Sequence, residues 1–173
     1  MFFLKSAFCR VFQTAFHIAL PFLPYREPVI IKFCSELEYV FRKERIKSPL
    51  IVTDSGITQN GLTKPLEDVL KKCGITCIIY DKTRPNPTVH NVEEALKIYL
   101  QNNCDSLIAI GGGSSMDCAK ALGARLVYPK RSLGQLKGIL RVMRTLPPLI
   151  AIPTTAGTGS EVTLAAIITD SEK

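Results

Sequence analysis

Residues 107–114, LIAIGGGS, decide the fold, because a short apolar run there ends in three consecutive glycines. A helical pattern follows through residue 127, so this stretch predicts a buried strand that turns tightly into a helix. Glycine adopts backbone angles that other residues avoid, and the first turn of a helix carries free N–H groups. Together with the positive end of the helix dipole, these amides predict an anion site suited to a pyrophosphate.

The same alternation of strand and helix extends in both directions from this stretch. Strands are predicted at residues 50–53 (LIVT), 75–80 and 149–152, and residues 162–169 also look extended. Helices are predicted at residues 62–73, with a stop at Gly74, and at 91–102, with Asn91 as the N-cap. Nearly continuous apolar strands between helices predict an α/β fold, a Rossmann-like parallel sheet with helices on both faces.

Polar or glycine-rich clusters follow the predicted strands, where ligands bind in such sheets. Residues 150–161 (IAIPTTAGTGSE) offer the hydroxyls of Thr154, Thr155, Thr158 and Ser160, either for a ligand or only for a capped turn. Residues 81–88 (DKTRPNPT) hold Asn86 between two prolines, which predicts either a rigid turn or a fixed amide donor. These loops are expected to meet at one edge of the sheet.

Acidic residues near the glycines allow two interpretations. Asp54 resembles the strand-end acid that accepts hydrogen bonds from an adenosine ribose 2′-OH, although it precedes the glycine stretch, and Asp81 competes for that role. Ser114 and Asp117 have the spacing of a capping box, so they could simply begin the helix. If Asp117 contacts a ligand, a sugar or amide is expected rather than a phosphate.

Composition narrows the classes of function. The chain has 173 residues with 46% hydrophobic positions, which excludes disorder, and its net charge of +7 suits a phosphate-bearing small molecule. No nucleic-acid partner is expected, because the basic residues look scattered apart from modest clusters at Lys130-Arg131 and Arg141–Arg144, and no RNA-binding signature occurs. Six cysteines without a C-x-x-C pair predict free thiols in the cytoplasm. Two histidines form no metal-ligand spacing or catalytic triad, so the catalytic residues stay unknown.

The first 27 residues form a separate unit in this interpretation, followed by an α/β domain at 28–173. Apolar residues recur there every three or four positions, which predicts an amphipathic helical extension. Charged residues interrupt the run, so no transmembrane span is expected. The helix is expected to pack on its own domain or on a second subunit, giving a homo-oligomer, with a helix lying on a membrane surface as the alternative.

Three motifs in this order resemble the iron-containing (group III) alcohol dehydrogenase family: PNPT at residues 85–88, IAIGGGSSMDCAKA at 108–121 and IPTTAGTGSEVT at 152–163. The resemblance runs from about residue 28 to the end. It implies the N-terminal dinucleotide-binding domain of a dehydroquinate-synthase-like fold. It also implies hydride transfer between NAD(P)H and a small-molecule alcohol or aldehyde substrate, assisted by a divalent metal, iron or zinc.

Site residues follow from the same resemblance. Asp54 matches the adenosine-ribose acid, which favours NAD over NADP, and Asn86 matches the asparagine of the P-N-P loop near the cofactor. The cofactor-contacting segments otherwise supply Gly112, Gly113 and Ser114 for pyrophosphate, Asp117 on the nicotinamide side, and Thr154, Thr155 and Thr158. The family's metal ligands, one Asp and three His, match nothing here and are expected in a C-terminal helical domain absent from this sequence.

The chain by itself is therefore expected to bind a dinucleotide weakly and to turn over little. Two alternatives remain open at this point. One is a non-catalytic nucleotide-binding module from a truncated gene. The other is a related metal-dependent enzyme, either a polyol dehydrogenase or a dehydroquinate-synthase-like lyase.

Overall fold

A computed structural model describes residues 28–170, together with Arg10 and Thr14. The strands within this range are β1 (Pro49–Val52), β2 (Ile78–Tyr80), β3 (Ser106–Gly111) and β4 (Leu149–Pro153). The α-helices are α1 (Leu37–Lys43), α2 (Ser55–Gln59), α3 (Lys64–Lys72), α4 (Val89–Gln101) and α5 (Gly113–Val127). The same range also contains 3-10 helices at Cys34–Glu36 and Leu133–Leu136. The helical extension predicted for residues 1–27 lies outside the described residues apart from those two positions.

The four strands form one parallel sheet in the order β2-β1-β3-β4. The chain leaves β1 to form β2 on one side and later returns to form β3 on the other. The order therefore reverses between β1 and β3, and a crevice opens there beyond the carboxyl ends of the strands. This sheet confirms the predicted fold class.

Helices cover both faces of the sheet, which explains the continuous apolar strands. Leu50 and Val52 of β1 pack with residues of α4 and α5, whereas Ile51 between them packs with residues of α1 and α3. All six residues of β3 are buried. Each fully buried Leu, Ile or Val contributes about 1.5–3 kcal/mol of hydrophobic stabilisation. No helix among the described residues has the length and apolar content needed to cross a bilayer.

The end of α3 explains why β2 is shorter than the predicted strand at 75–80. Gly74 takes the left-handed conformation, with φ of 69°, and its N–H bonds to the Lys71 carbonyl. The Ile75 N–H then bonds back to the Leu70 carbonyl at 2.9 Å. This pairing closes the helix C-terminus, so Ile75 belongs to the helix stop and the strand begins only at Ile78.

The N-cap predicted for Asn91 was wrong, because α4 begins two residues earlier. Thr88 is the N-cap, and its hydroxyl accepts a hydrogen bond from the Asn91 N–H. The Asn91 side chain accepts one in return from the Thr88 N–H at 3.1 Å. Asn91 therefore occupies the third helical position of a reciprocal capping box.

Residues 162–169, which look extended in sequence, form no strand. A turn covers Glu161 and Val162, and the following residues are irregular apart from a single bridge between Thr88 and Thr169. β-branched residues favour strands only where a neighbouring strand pairs with them. Within the described residues, no strand runs alongside this segment.

Candidate functional site

The turn after β3 brings the backbone into a conformation that requires glycine. Gly111 has φ of 140°, a value that side-chain-bearing residues rarely adopt. A Cβ at Gly111 would lie 2.6 Å from Oγ of Ser115 and 3.4 Å from Oδ2 of Asp54. The absence of a side chain therefore keeps the crevice between β1 and β3 open.

Helix α5 begins directly at this crevice with free backbone donors. Its N-cap is Gly112, and no side chain caps the helix. The capping-box interpretation of Ser114 and Asp117 is therefore wrong. Oγ of Ser115 is buried and has no hydrogen-bond partner among the described residues. An uncapped N-terminus beside an unpaired hydroxyl is suited to an anionic oxygen ligand.

The threonine-rich loop after β4 lies against the glycine turn, at the edge where the sequence predicts it. The Thr154 N–H bonds to the Gly111 carbonyl at 2.9 Å. Oγ1 of Thr155 lies 3.2 Å from the position of a Cβ at Gly112. A Cβ at Gly113 would lie 2.9 Å from Oγ of Ser160 and 3.7 Å from Cβ of Thr158. Glycine backbone and hydroxyl side chains thus form two walls of one cleft.

Asp54 stands at the end of β1 on the same cleft. Its Oδ1 accepts hydrogen bonds from the backbone N–H groups of Gly56 and Ile57 and so caps α2, while Oδ2 is directed toward Gly111. The buried hydroxyl of Thr53 donates to the Ile110 carbonyl at 2.8 Å, which ties the ends of β1 and β3 together. This bond fixes Asp54 beside the glycine turn.

Asp81, the competing acid, is engaged elsewhere. Its Oδ2 accepts a hydrogen bond of 3.0 Å from the hydroxyl of Thr58 in α2. Asp54 is therefore the acid whose remaining oxygen faces the glycine turn.

Asp117 is bound to the chain itself rather than open to the cleft. Its Oδ2 accepts a hydrogen bond of 3.0 Å from the Ile167 N–H, and its Oδ1 lies 3.1 Å from Nζ of Lys120. Both side chains are only 12% exposed. The same ammonium donates to the hydroxyl of Thr163 at 3.1 Å and to the carbonyl of Ala165. This pair holds the segment that follows the threonine-rich loop.

Asn86 sits in the proline loop with a left-handed backbone, at φ of 55°, and its side chain is exposed. No hydrogen bond among the described residues joins Asn86 to the glycine turn or to the threonine-rich loop. The loop is anchored instead by Thr169, whose N–H bonds to the Pro87 carbonyl at 2.8 Å.

A polar cavity of about 470 Å³ lies beside this proline loop. Within it, Nζ of Lys82 lies 2.7 Å from Oε1 of Glu94, and this hydrogen bond lowers the pKa of Glu94 and raises that of Lys82. Burial raises the pKa of Tyr80, whose hydroxyl donates to Oε2 of Glu94. Glu94 and Lys82 thus pair with each other on the wall of this cavity.

No group of three or more His, Cys, Asp or Glu side chains capable of holding a metal ion occurs among the described residues. Burial raises the pKa of the Cys118 thiol to about 12, so this thiol is not a nucleophile at neutral pH. The arrangement can bind a ligand, but the described residues supply no metal centre.

The sequence reasoning did not identify three residues at or beside the cleft as individual contributors: Thr53, Ser115 and Lys120. Ser115 and Lys120 lie inside the quoted motif, so their helical position could have indicated that they face the strand ends. The partners of Lys120 lie 43 to 45 residues later, and no local pattern encodes such a contact.

A family model and individual proteins of known sequence resemble this chain. A family model described as iron-containing alcohol dehydrogenase matches residues 32–173. Choline dehydrogenase of Bacillus subtilis is 44% identical over 130 residues, which cover 74% of this chain and 32% of that protein. The chain thus spans about a third of the length of this curated relative.

Solved structures of similar proteins share the fold. A 1,3-propanediol oxidoreductase superposes with a TM-score of 0.76 at 35% identity, covering 80% of this chain and 36% of the other. A sulfoacetaldehyde reductase from Bifidobacterium kashiwanohense, solved in complex with NAD+, gives a TM-score of 0.74 at 31% identity, covering 86% and 40%.

Proposed function

The chain belongs to the iron-containing alcohol dehydrogenase family, and we propose that residues 28–173 form the NAD-binding part of an enzyme that oxidises a small alcohol or reduces an aldehyde. The observation that carries this proposal is the uncapped N-terminus of α5, which faces a glycine turn with no room for side chains. When bound, the dinucleotide supplies the hydride-transferring nicotinamide, and this chain supplies binding and orientation.

The cleft fits a pyrophosphate on physical grounds. Gly112, Gly113 and Ser114 would present backbone N–H groups at the positive end of the α5 dipole, where an anion is stabilised. The unpaired Oγ of Ser115 offers a further donor close to this backbone. The hydroxyls of Thr154, Thr155 and Thr158 would contact the ligand from the opposite wall without adding charge.

Asp54 supports NAD over NADP. Its free carboxylate oxygen at the crevice would accept hydrogen bonds from the adenosine ribose and would repel a 2′-phosphate. We also propose that Asn86 contacts the cofactor, because the two prolines beside it hold its amide in a fixed direction. For Asp117 we propose a positioning role: it does not contact the cofactor but holds in place the segment that follows the threonine-rich loop.

Metal chemistry is not assigned to the described residues, because none of their side-chain groups fits a metal ion. We propose that the metal and the catalytic groups come from a part of the enzyme outside residues 28–170, and that this chain alone turns over little. The same observation favours the second candidate, a non-catalytic nucleotide-binding module. Robust alcohol oxidation by this chain with ferrous ion or zinc added would contradict the proposal that it turns over little, and it would also contradict the second candidate.

The proposed setting is the cytoplasm, where Cys104 and Cys118, both buried and unpaired, would stay reduced. Association with further copies is proposed from exposed apolar side chains that follow the threonine-rich loop, such as Leu164 and Ile167. Sedimentation of the chain at several concentrations tests this association.

Calorimetric titration of the 173-residue chain with NADH and NADPH tests the proposed function. NADH is expected to bind more tightly than NADPH, and Gly112→Val should weaken NADH by about tenfold or more, because the side chain fills the cleft. Gly134→Val is the matched control, since a Cβ there meets only Oγ of Ser132 at 3.8 Å. Equal affinity of the Gly112→Val variant and the unsubstituted chain would overturn the proposal.

A further inference from the structure

The net charge of the protein has a single source in the sequence. Residues 118–160 contain seven basic residues and no acidic one. Since the whole chain has 22 basic and 15 acidic residues, the remainder is neutral. The excess of +7 is therefore concentrated in one segment rather than scattered.

Most of this charge lies in one surface loop. Lys120 and Arg125 are paired with Asp117 and Glu93, at 3.1 and 2.6 Å. The other five lie at residues 128–148, the basic loop, which connects α5 to β4. All five are exposed, and none takes part in an ion pair within the described part of the chain: Lys130, Arg131, Lys137, Arg141 and Arg144.

The tip of the basic loop is apolar. Ile139 and Leu140 form a turn in which Ile139 is 73% and Leu140 49% exposed, and Met143 nearby is 43% exposed. Positive φ values at Gly138 and Leu140, 117° and 58°, fold this turn tightly. Basic side chains flank the apolar tip on both sides, at positions 137 and 141.

The base of the loop is held in place. The guanidinium groups of Arg131 and Arg144 lie 4.9 and 4.8 Å from the ring centroid of Tyr128. Arg144 also donates to the carbonyl of Val127, and the Tyr128 hydroxyl accepts a hydrogen bond from the Met143 N–H. Two cations thus share one aromatic ring without a carboxylate between them.

We propose that the basic loop docks the protein on the surface of an anionic lipid bilayer. Ile139 and Leu140 enter the headgroup region, and the five cations face the lipid phosphates. The exposed apolar tip favours a bilayer over a nucleic acid or a purely acidic peptide, for which cations alone would suffice. Because helix α5 runs from the cleft to the opposite edge of the sheet, docking leaves the proposed dinucleotide cleft accessible.

Flotation with vesicles of about 30% phosphatidylserine in phosphatidylcholine, against vesicles of phosphatidylcholine alone, tests the proposal on the 173-residue chain. The chain should float only with the anionic vesicles. The double variant Lys137→Gln/Arg141→Gln should weaken this binding by roughly 30-fold. Ile139→Ser/Leu140→Asn should weaken it by about tenfold, because the apolar contact is lost while the charge is kept.

Lys71→Gln/Lys72→Gln is the matched control, since both lysines are exposed at the end of α3 and the net charge changes equally. All variants keep residues 1–27, so any contribution of that segment is common to them, and circular dichroism verifies folding. Equal loss in the control and loop variants would overturn the proposal. Equal flotation with the neutral vesicles would also overturn it. So would a chain that does not float with anionic vesicles but binds polyglutamate, with an affinity that the tip substitutions leave unchanged.

Discussion

The side chain of Asp117 holds the backbone of Ile167, fifty residues later, through a hydrogen bond of 3.0 Å. Lys120 completes this contact by pairing with Asp117 and donating to Thr163. Two neighbouring turns of α5 thereby fix the chain that follows the threonine-rich loop. The shape of the cleft consequently depends on an ion pair that is not itself open to ligand.

Asp117→Ala is expected to destabilise the protein by about 3 kcal/mol, because it leaves the nearly buried Lys120 ammonium without its partner. Urea unfolding followed by circular dichroism measures this change. Asp68→Ala, an exposed acid of α3, removes the same charge and should alter stability by less than about 0.5 kcal/mol. Similar losses in the two variants would show that Asp117 has no special structural role.

Gly111→Ala is expected to lower both stability and NADH affinity. The new Cβ would meet Oγ of Ser115 at 2.6 Å in a backbone conformation with φ of 140°. A cost of about 2–4 kcal/mol follows from the strain and the clash together. Thermal unfolding measures the first effect and calorimetric titration the second, with Gly134→Ala as the control. A variant as stable as the original would contradict the turn geometry.

The variants Thr88→Ala and Asn91→Ala distinguish the stability contributed by the helix cap from that contributed by buried hydrogen bonds. Loss of the cap hydroxyl should cost about 1 kcal/mol. Asn91→Ala should cost more, about 2–3 kcal/mol, because the amide also donates to the Tyr80 hydroxyl and the Lys82 carbonyl inside the protein. Chemical denaturation of both variants measures the order. A larger loss for Thr88→Ala would contradict the assignment.

These contrasts show what the sequence could predict. Strands β1 and β3 were recognisable because both faces are buried, which makes their apolar runs continuous. The start of α4 could not be recognised, because Thr88 and Asn91 are both good capping residues. Only the backbone conformation observed in the structure identifies Thr88 as the N-cap. The sequence could not decide whether Asp54 or Asp81 faces the cleft. The deciding contact is the hydrogen bond between Asp81 and Thr58, which are 23 residues apart, and no local pattern encodes it.

Acid titration should reveal the Glu94–Lys82 pair. The hydrogen bond from Lys82 lowers the pKa of Glu94 below its ordinary value of 4.5 in the folded state. The stabilisation is therefore fully present above the ordinary pKa and is lost as the pH falls through the lowered one. The stability difference between the unsubstituted chain and Glu94→Gln should shrink from about pH 6 to about pH 3.

Glu161→Gln serves as the control for this titration, because Glu161 is exposed and takes part in no hydrogen bond of its side chain among the described residues. A Glu94→Gln difference that stays constant over the same range of pH would mean that the Lys82 contact does not stabilise the folded protein.

Nuclear magnetic resonance of the ¹⁵N-labelled chain during titration with NADH tests the central claim most directly, because it locates the ligand residue by residue. The amide signals of Gly112, Gly113 and Ser114 should shift most, together with those of the threonine-rich loop, and Gly112→Val should require at least about tenfold more NADH for the same shifts. Shifts confined to the cavity at Lys82 and Arg84, or no saturable shift at the start of α5, would contradict the claim that the diphosphate is bound there.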